Sequence, residues 1–132
     1  MAESRVEVLP KARAKVYLRR AENLLKTMEW AEREQNPDGV AINAVQTAIS
    51  LGDAFTVFFL QERSRGQDHH EVVGLATRCK SPAAAEVGQS LHRILYRKNE
   101  VEYEGREVLL SDARELAKQV RRLSSLVHIA LS

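Results

Sequence analysis

The stretch that decides the fold runs from Val40 to Glu62 and reads VAINAVQTAISLGDAFTVFFLQE. Many of its apolar side chains recur every three or four residues, the spacing of one face of an α-helix: Ala41, Val45, Ala48, Ile49, Gly52, Phe55 and Phe59. Other apolar residues fall elsewhere on the same helix: Ile42, Val57, Phe58 and Leu60. A helix that is apolar on more than one face lies at the centre of its fold or against a partner subunit. The stretch therefore predicts a helix that other helices, or a second chain, must cover.

The segment before this stretch carries its own helical pattern. Residues 10–34 place apolar side chains at spacings of three and four: Ala14, Tyr17, Leu18, Ala21, Leu24, Leu25, Met28 and Ala31. Pro10 suits the first helical position, where its missing N–H costs nothing. The run Asn36-Pro37-Asp38-Gly39 breaks the pattern. We therefore expect one helix over 10–34 and the next over 40–62.

Three further helices are predicted after a polar loop at 61–68. A short one covers 69–79, and Ser81 with Pro82 marks the start of another, which reaches residue 104. Ser111 or Asp112 caps the last helix, and its apolar positions form one stripe: Ala113, Leu116, Ala117, Val120, Leu123, Val127, Ala130 and Leu131.

The composition limits the fold class. The chain has 132 residues, of which 44% are hydrophobic and 29% charged, a balance typical of one globular domain. It contains only 6 Gly and 3 Pro, too few for a fold with many short strands and turns. We therefore predict an all-α fold, an up-and-down four-helix bundle with one short additional helix. It forms a single domain over residues 1–132, and residues 1–9 are expected to fray.

Charge and cysteine content exclude several classes of protein. The formal net charge of +2 is only mildly basic, so a strong overall attraction to nucleic acid is not expected. Cys79 is the only cysteine, which fits a reducing compartment. Neither a signal peptide nor an uncharged apolar stretch approaching 18 residues is found, so the expected location is the cytoplasm, without membrane contact.

No known cofactor or metal motif occurs in the sequence. It lacks a phosphate-binding glycine loop, a zinc-ligand spacing and a nucleophile elbow. The run Asp68-His69-His70-Glu71 is typical of a helix start, and adjacent histidines point about 100° apart on a helix, which suits one metal ion poorly. His69 or His70 remains a candidate to face a site shared with another helix. We expect no cofactor and no metal.

The richest polar cluster lies near the end of the fourth helix, at residues 92–104. On a helical wheel, Val87, Leu91, Ile94 and Leu95 set the core direction, and a polar stripe runs along its flank: His92, Tyr96, Asn99 and Tyr103. Arg93 and Arg97 lie on the far side, whereas Lys98 and Glu102 point toward the core. Because charges are rarely left unpaired in a core, this pattern indicates either a polar cleft or a helix end that emerges into solvent.

With these segments in order, the chain resembles an HEPN domain, a small helical domain associated with nucleotide binding and RNA cleavage. The resemblance covers residues 10–130. It rests on four segments: Lys15-Val-Tyr17-Leu-Arg-Arg-Ala21, Ala41-Ile42-Asn43-Ala44 with Gly52-Asp53-Ala54, Arg63-Ser64-Arg65-Gly66-Gln67-Asp68-His69, and Arg97-Lys98-Asn99 with Tyr103.

The resemblance implies a homodimer in which two copies of an active motif meet. In active members that motif is Arg followed four to six residues later by His, and it cleaves RNA without metal. Here Tyr103 stands in the histidine window, and either Arg97 or Lys98 takes the basic position. A phenol is a poor base at neutral pH. The implied catalytic residues are Lys98, Tyr103 and Arg97, and the implied RNA- or nucleotide-binding residues are Asn99, Arg93, Tyr96 and His69.

Three functions follow as hypotheses. The first is a non-catalytic or weakly active module that binds RNA, a nucleotide or a protein partner as a homodimer. The second is a metal-independent ribonuclease of toxin–antitoxin or defence type, for which a nucleotidyltransferase-like antitoxin is the expected partner. The third is a purely structural dimerisation module.

Overall fold

The long apolar stretch forms the central helix of the fold. The computed structural model describes residues 6–65, 69–102 and 107–132, with the side chains of residues 69 and 98–102 outside that description. The structure is 80% helical, which confirms the prediction of a mostly helical chain. The described elements are β1 (Val6–Val8), a one-turn 3-10 helix (Lys11–Arg13), α1 (Ala14–Arg33), α2 (Pro37–Leu60), β2 (Glu62–Ser64), α3 (His69–Thr77), α4 (Ala84–Glu102) and α5 (Leu110–Leu131).

The central helix α2 contacts the four other helices. Fourteen of the 18 residues from Val40 to Val57 are buried, and Phe55 and Leu51 are among the largest fully buried side chains. By length and apolar composition alone α2 could cross a membrane, although the sequence analysis expects no membrane-spanning stretch. In the fold, 78% of the most apolar window of this helix is buried. The apolar faces of α2 are thus covered mainly by helices of the same chain, which favours the central position over the partner interface.

The predicted core stripes of the outer helices are confirmed at most positions. In α1 the buried residues are Ala14, Tyr17, Ala21, Met28 and Ala31. In α5 they include Ala113, Leu116, Ala117, Val120, Leu123 and Val127. Both sets follow the helical period, with most neighbours three, four or seven residues apart, so each helix turns one apolar face toward α2.

Helix α2 begins three residues earlier than the periodicity predicts. The side chain of Asn36 accepts a hydrogen bond from the backbone N–H of Gly39 at 3.0 Å, and Pro37 follows as the first helical residue. The run Asn36-Pro37-Asp38-Gly39 does separate two helices, but its last three residues already belong to α2. At the other end Gln61 adopts a left-handed conformation with φ 56°, and its N–H donates to the Val57 carbonyl.

A two-stranded antiparallel ribbon joins the N-terminal segment to the end of α2. Val6 pairs with Ser64, and Val8 pairs with Glu62. The sequence predicts fraying at 1–9 and a loop at 61–68. The structure corrects both predictions, because residues 6–8 and 62–64 form paired strands. Residues 1–5 and 66–68 lie outside the described part. Strands of three residues are too short for a period-two pattern to stand out.

The predicted starts of the last two long helices are also corrected. Helix α4 begins at Ala84, and Ser81 lies in the turn before it. The hydroxyl oxygen of Ser81 accepts a hydrogen bond from the N–H of Ala83, and its carbonyl oxygen accepts one from the N–H of Ala84. Helix α5 begins at Leu110, and the preceding Leu109 makes no side-chain cap. Neither Ser111 nor Asp112 is therefore the cap. Helix α3 ends at Thr77, two residues before the predicted end.

Candidate functional site

The outward face of α4 forms an open groove of about 580 Å³. Its lining side chains are Gln89, His92, Arg93, Tyr96 and Arg97. Their spacing of three and one residues places them on one face of the helix. The predicted core residues of α4 are buried on the other side: Val87, Leu91, Ile94 and Leu95. Because one face is fixed in the core, the polar face must point outward.

Three rings form a row across the junction of α3 and α4. The ring of His92 lies 6.0 Å from that of His70 in α3 and 6.4 Å from that of Tyr96, measured between ring centroids. Tyr96 is 64% exposed, which is high for a tyrosine. Exposed rings of this kind can stack on a planar ligand.

The close approach of α3 to α4 depends on two glycines. A Cβ atom added at Gly52 of α2 would lie 3.2 Å from side-chain atoms of both Leu91 and Val72. A Cβ atom added at Gly88 of α4 would lie only 2.5 Å from the methyl group of Thr77 in α3. These contacts seat the short helix α3 beside α4 and bring His70 to His92.

Two arginines supply positive charge to the groove. Arg93 is exposed and has no ion pair within the described part of the chain. The guanidinium of Arg97 lies 3.8 Å from the carboxylate of Asp112 in α5, a long and partly exposed ion pair that contributes little stability. Arginine is well suited to phosphate, and the exposed guanidinium of Arg93 can turn toward an anion in the groove.

The structure brings together some of the predicted site residues. Arg93, Tyr96 and Arg97 share the groove, and His92 and Gln89 join them. The side chains of Lys98, Asn99, Glu102 and His69, and the whole of Tyr103, lie outside the described residues. The choice between Arg97 and Lys98 in the motif, and the predicted polar cleft, therefore stay predictions. The histidine described beside α4 is His70.

A second polar cluster, which the sequence did not single out as a site, lies under the ribbon. Asp53 of α2 is only 3% exposed, and its carboxylate accepts a hydrogen bond from Nε of Arg63 in β2 at 3.1 Å. A second nitrogen of Arg63 lies 3.4 Å from the carboxylate of Glu7 in β1. The ring of Tyr17 lies under Arg63 at 5.0 Å and near Arg20 at 5.5 Å. One arginine thus joins α1, α2 and both strands.

Burial dominates the electrostatics of Asp53. Loss of water around its carboxylate raises the pKa from 3.8 to about 6, even though Arg63 and Arg20 lower it. A sequence signal for this site exists, since a carboxylate inside a long apolar helical stretch needs a partner. The sequence contains no comparable signal that the partner is Arg63, ten residues further along the chain.

Within the described residues, Cys79 and the potential metal ligands form no second centre of chemistry. Cys79 is buried, its thiol donates to the Leu75 carbonyl at 3.5 Å, and burial raises its pKa to about 11. It therefore fits the predicted role of a small core residue better than that of a nucleophile. Across the described residues no three His, Cys, Asp or Glu side chains are placed to hold one metal ion.

The chain matches no family model, no curated protein and no solved structure.

Proposed function

We propose that the chain is a non-catalytic HEPN-like module that binds RNA or a nucleotide on the outward face of α4. The observation that carries the proposal is the groove in which Arg93 and Arg97 flank the exposed ring of Tyr96. Guanidinium groups bind phosphate in two-point fashion, and an aromatic ring stacks on a base whatever its sequence. The three side chains thus provide separate contacts for the backbone and the base of one strand.

The row of rings extends the same surface. From Tyr96 through His92 to His70 the centroids are separated by 6.4 and 6.0 Å, so a second base can lie against the imidazoles. Proteins that bind single-stranded nucleic acid without strong sequence preference combine a cationic groove with such rings. We therefore expect unpaired RNA to bind better than a duplex.

The test is fluorescence anisotropy of a labelled single-stranded RNA of about ten nucleotides, titrated with protein at several salt concentrations. We expect affinity to fall with salt, with a slope near −0.7 for each phosphate neutralised. Arg93→Ala and Arg97→Ala should each reduce that slope, whereas Tyr96→Ala should weaken binding and leave the slope unchanged.

Arg114→Ala is the matched control, because Arg114 is an exposed arginine on α5 without an ion pair in the described residues. Equal losses in Arg93→Ala and Arg114→Ala would mean that charge alone attracts the RNA, and the α4 site would be rejected. Absence of binding to RNA, ATP and GTP at low salt would reject the function itself.

A metal-independent ribonuclease is the second candidate, and the pair of imidazoles favours it. His70 and His92 lie close to each other and beside Arg93, and histidine is the commonest general acid and base in proteins. This candidate requires RNA cleavage in the presence of EDTA that His92→Gln abolishes. Lys98→Ala and Tyr103→Phe test the motif implied by the family resemblance.

We further propose the up-and-down four-helix bundle of HEPN domains, with α3 as the additional helix, and a homodimer. Contact of α2 with every other helix supports the bundle. The dimer now rests on the family resemblance and on apolar side chains that the single chain leaves exposed, such as Ile42 at 51% and Trp30 at 57%. Light scattering tests it: a mass near 30 kDa is expected, twice the 14.9 kDa of one chain. A dimer that binds neither RNA nor nucleotide would support the purely structural module.

A further inference from the structure

Strand β2 is tied by its side chains to the rest of the fold on both sides. Arg63 contacts Asp53 of α2 and Glu7 of β1. The carboxylate of Glu62 lies 3.2 Å from the guanidinium of Arg78, the residue after α3. Since the chain also runs from β2 into the start of α3, both ends of that helix are linked to β2.

Helix α3 needs such links because it is short. Its nine residues, His69–Thr77, bury only part of their surface against α2 and α4. Isolated helices of this length are not stable in water, so its position depends on its neighbours. Its outward end carries His70, which meets His92 at the edge of the α4 groove.

The ion pair that anchors β2 carries a free-energy cost, because two charges are removed from water. Asp53 is almost fully buried, and the side chain of Arg63 is only 28% exposed. Replacing such a pair with apolar residues is often neutral or stabilising, because the cost of removing two charges from water disappears. Unlike an apolar contact, an ion pair is directional, because its hydrogen bonds allow only one placement of the guanidinium group.

We infer that Asp53 and Arg63 are positioning residues for the α4 groove: by fixing β2 they hold α3 where His70 lies against His92. Neither residue lines the α4 groove. The effect on binding rests on the proposed function, whereas the effect on the two histidines does not.

The test is the double variant Asp53→Leu/Arg63→Met, which replaces the whole pair with apolar side chains of similar length. We expect it to fold with the helical circular dichroism of the natural chain. The ring-proton NMR signals of His70 and His92 should shift, and RNA affinity should fall about three- to tenfold, the range expected when one contact of a coupled network is lost. His70→Gln and His92→Gln assign the signals among the four histidines.

The matched control is Glu32→Leu/Arg121→Met, which removes an ion pair of 2.9 Å between α1 and α5, far along the chain from β2. It should leave the signals of His70 and His92, and the affinity, unchanged. Restoring Arg63 and Asp53 one at a time should not recover the natural signals, because each residue acts through the other.

The two proposals fail in different ways. Unchanged signals of His70 and His92 in Asp53→Leu/Arg63→Met overturn the positioning role, whatever the RNA result. Shifted signals in a protein whose natural form binds no RNA support the positioning role and reject the proposed function. Equal shifts in the control variant also overturn the positioning role, since any lost ion pair would then have the same effect.

Discussion

Asp53→Asn should change how stability depends on pH, and the structure gives both the sign and the size of the effect. Burial raises the pKa of the Asp53 carboxyl from 3.8 to about 6 in the folded state. The unfolded chain exposes the group, so its pKa there returns to the ordinary value. The folded protein therefore holds this proton more tightly than the unfolded chain does. The stability it contributes is complete below pH 3.8 and is lost as the pH rises through about 6.

The interval between the two pKa values, at about 1.4 kcal/mol per pH unit, corresponds to about 3 kcal/mol. The amide introduced by Asp53→Asn cannot ionise, so the variant lacks this loss. The free energy of unfolding of the natural chain should therefore fall by about 3 kcal/mol relative to Asp53→Asn between about pH 3.5 and pH 7. Other carboxylates titrate alike in both proteins and cancel in the difference.

The assay is urea unfolding followed by circular dichroism at half-unit steps from about pH 3.5 to 8 for both proteins. A difference curve that stays flat within about 0.5 kcal/mol would refute the reasoning. A rise instead of a fall would show that attraction to Arg63 outweighs burial and lowers the pKa of Asp53. Arg63→Gln provides an independent check: without the guanidinium the pKa of Asp53 rises further, so the loss of stability should extend to higher pH.

Three further predictions follow from local contacts. Gly88→Ala should lower the free energy of unfolding by about 1–2 kcal/mol more in the natural chain than in the Thr77→Ser variant, as measured by urea unfolding. The new Cβ lies 2.5 Å from the Thr77 methyl group, which serine lacks. Equal effects in both backgrounds would contradict the close α3–α4 contact. Asn36→Ala should cost about 1 kcal/mol of stability and Asn36→Asp much less, because the side-chain oxygen at this position accepts from Gly39; equal losses would exclude the cap. Cys79 should resist a thiol-specific reagent at about pH 7.5 until the protein is unfolded, because the thiol is buried and its pKa is raised to about 11; rapid labelling of the folded chain would contradict that burial.

Periodicity predicted the helices well because it reports which face each one buries. Met28 in α1 and Leu123 in α5 were placed in the core from spacing alone, and both are fully buried. Helix ends were predicted less well because several neighbouring residues can serve as the cap. Asn36 caps α2 with its side chain, as expected of a good N-cap residue, whereas Leu109 precedes α5 and makes no side-chain cap. A preference for capping residues cannot say which of several adjacent positions the chain will use.

The candidate site shows the same division between local and long-range information. Counting residues along α4 puts Tyr96 on the flank of the core and Arg93 on the far side, both away from the core, whereas the structure lines one groove with the two side chains. The meeting of His70 with His92, and of Asp53 with Arg63, depends on how separate elements pack. A carboxylate such as that of Asp53 within an apolar stretch needs a partner, but the ribbon that brings Arg63 to it is made of three-residue strands that carry no periodic signal.

Charge alone does not distinguish α4 from the other solvent-facing helices. The exposed face of α5 also carries three basic side chains, Arg114, Lys118 and Arg122, spaced four residues apart. That helix contains no Phe, Trp or Tyr, so a polyanion could be attracted there but no base could stack on a large ring. The α4 face adds Tyr96 to its arginines, and α3 adds the imidazole of His70. If bases as well as phosphates are bound, Tyr96→Ala should weaken binding of RNA more than binding of inorganic polyphosphate. Equal losses for both ligands would reduce the α4 face to a site for anions.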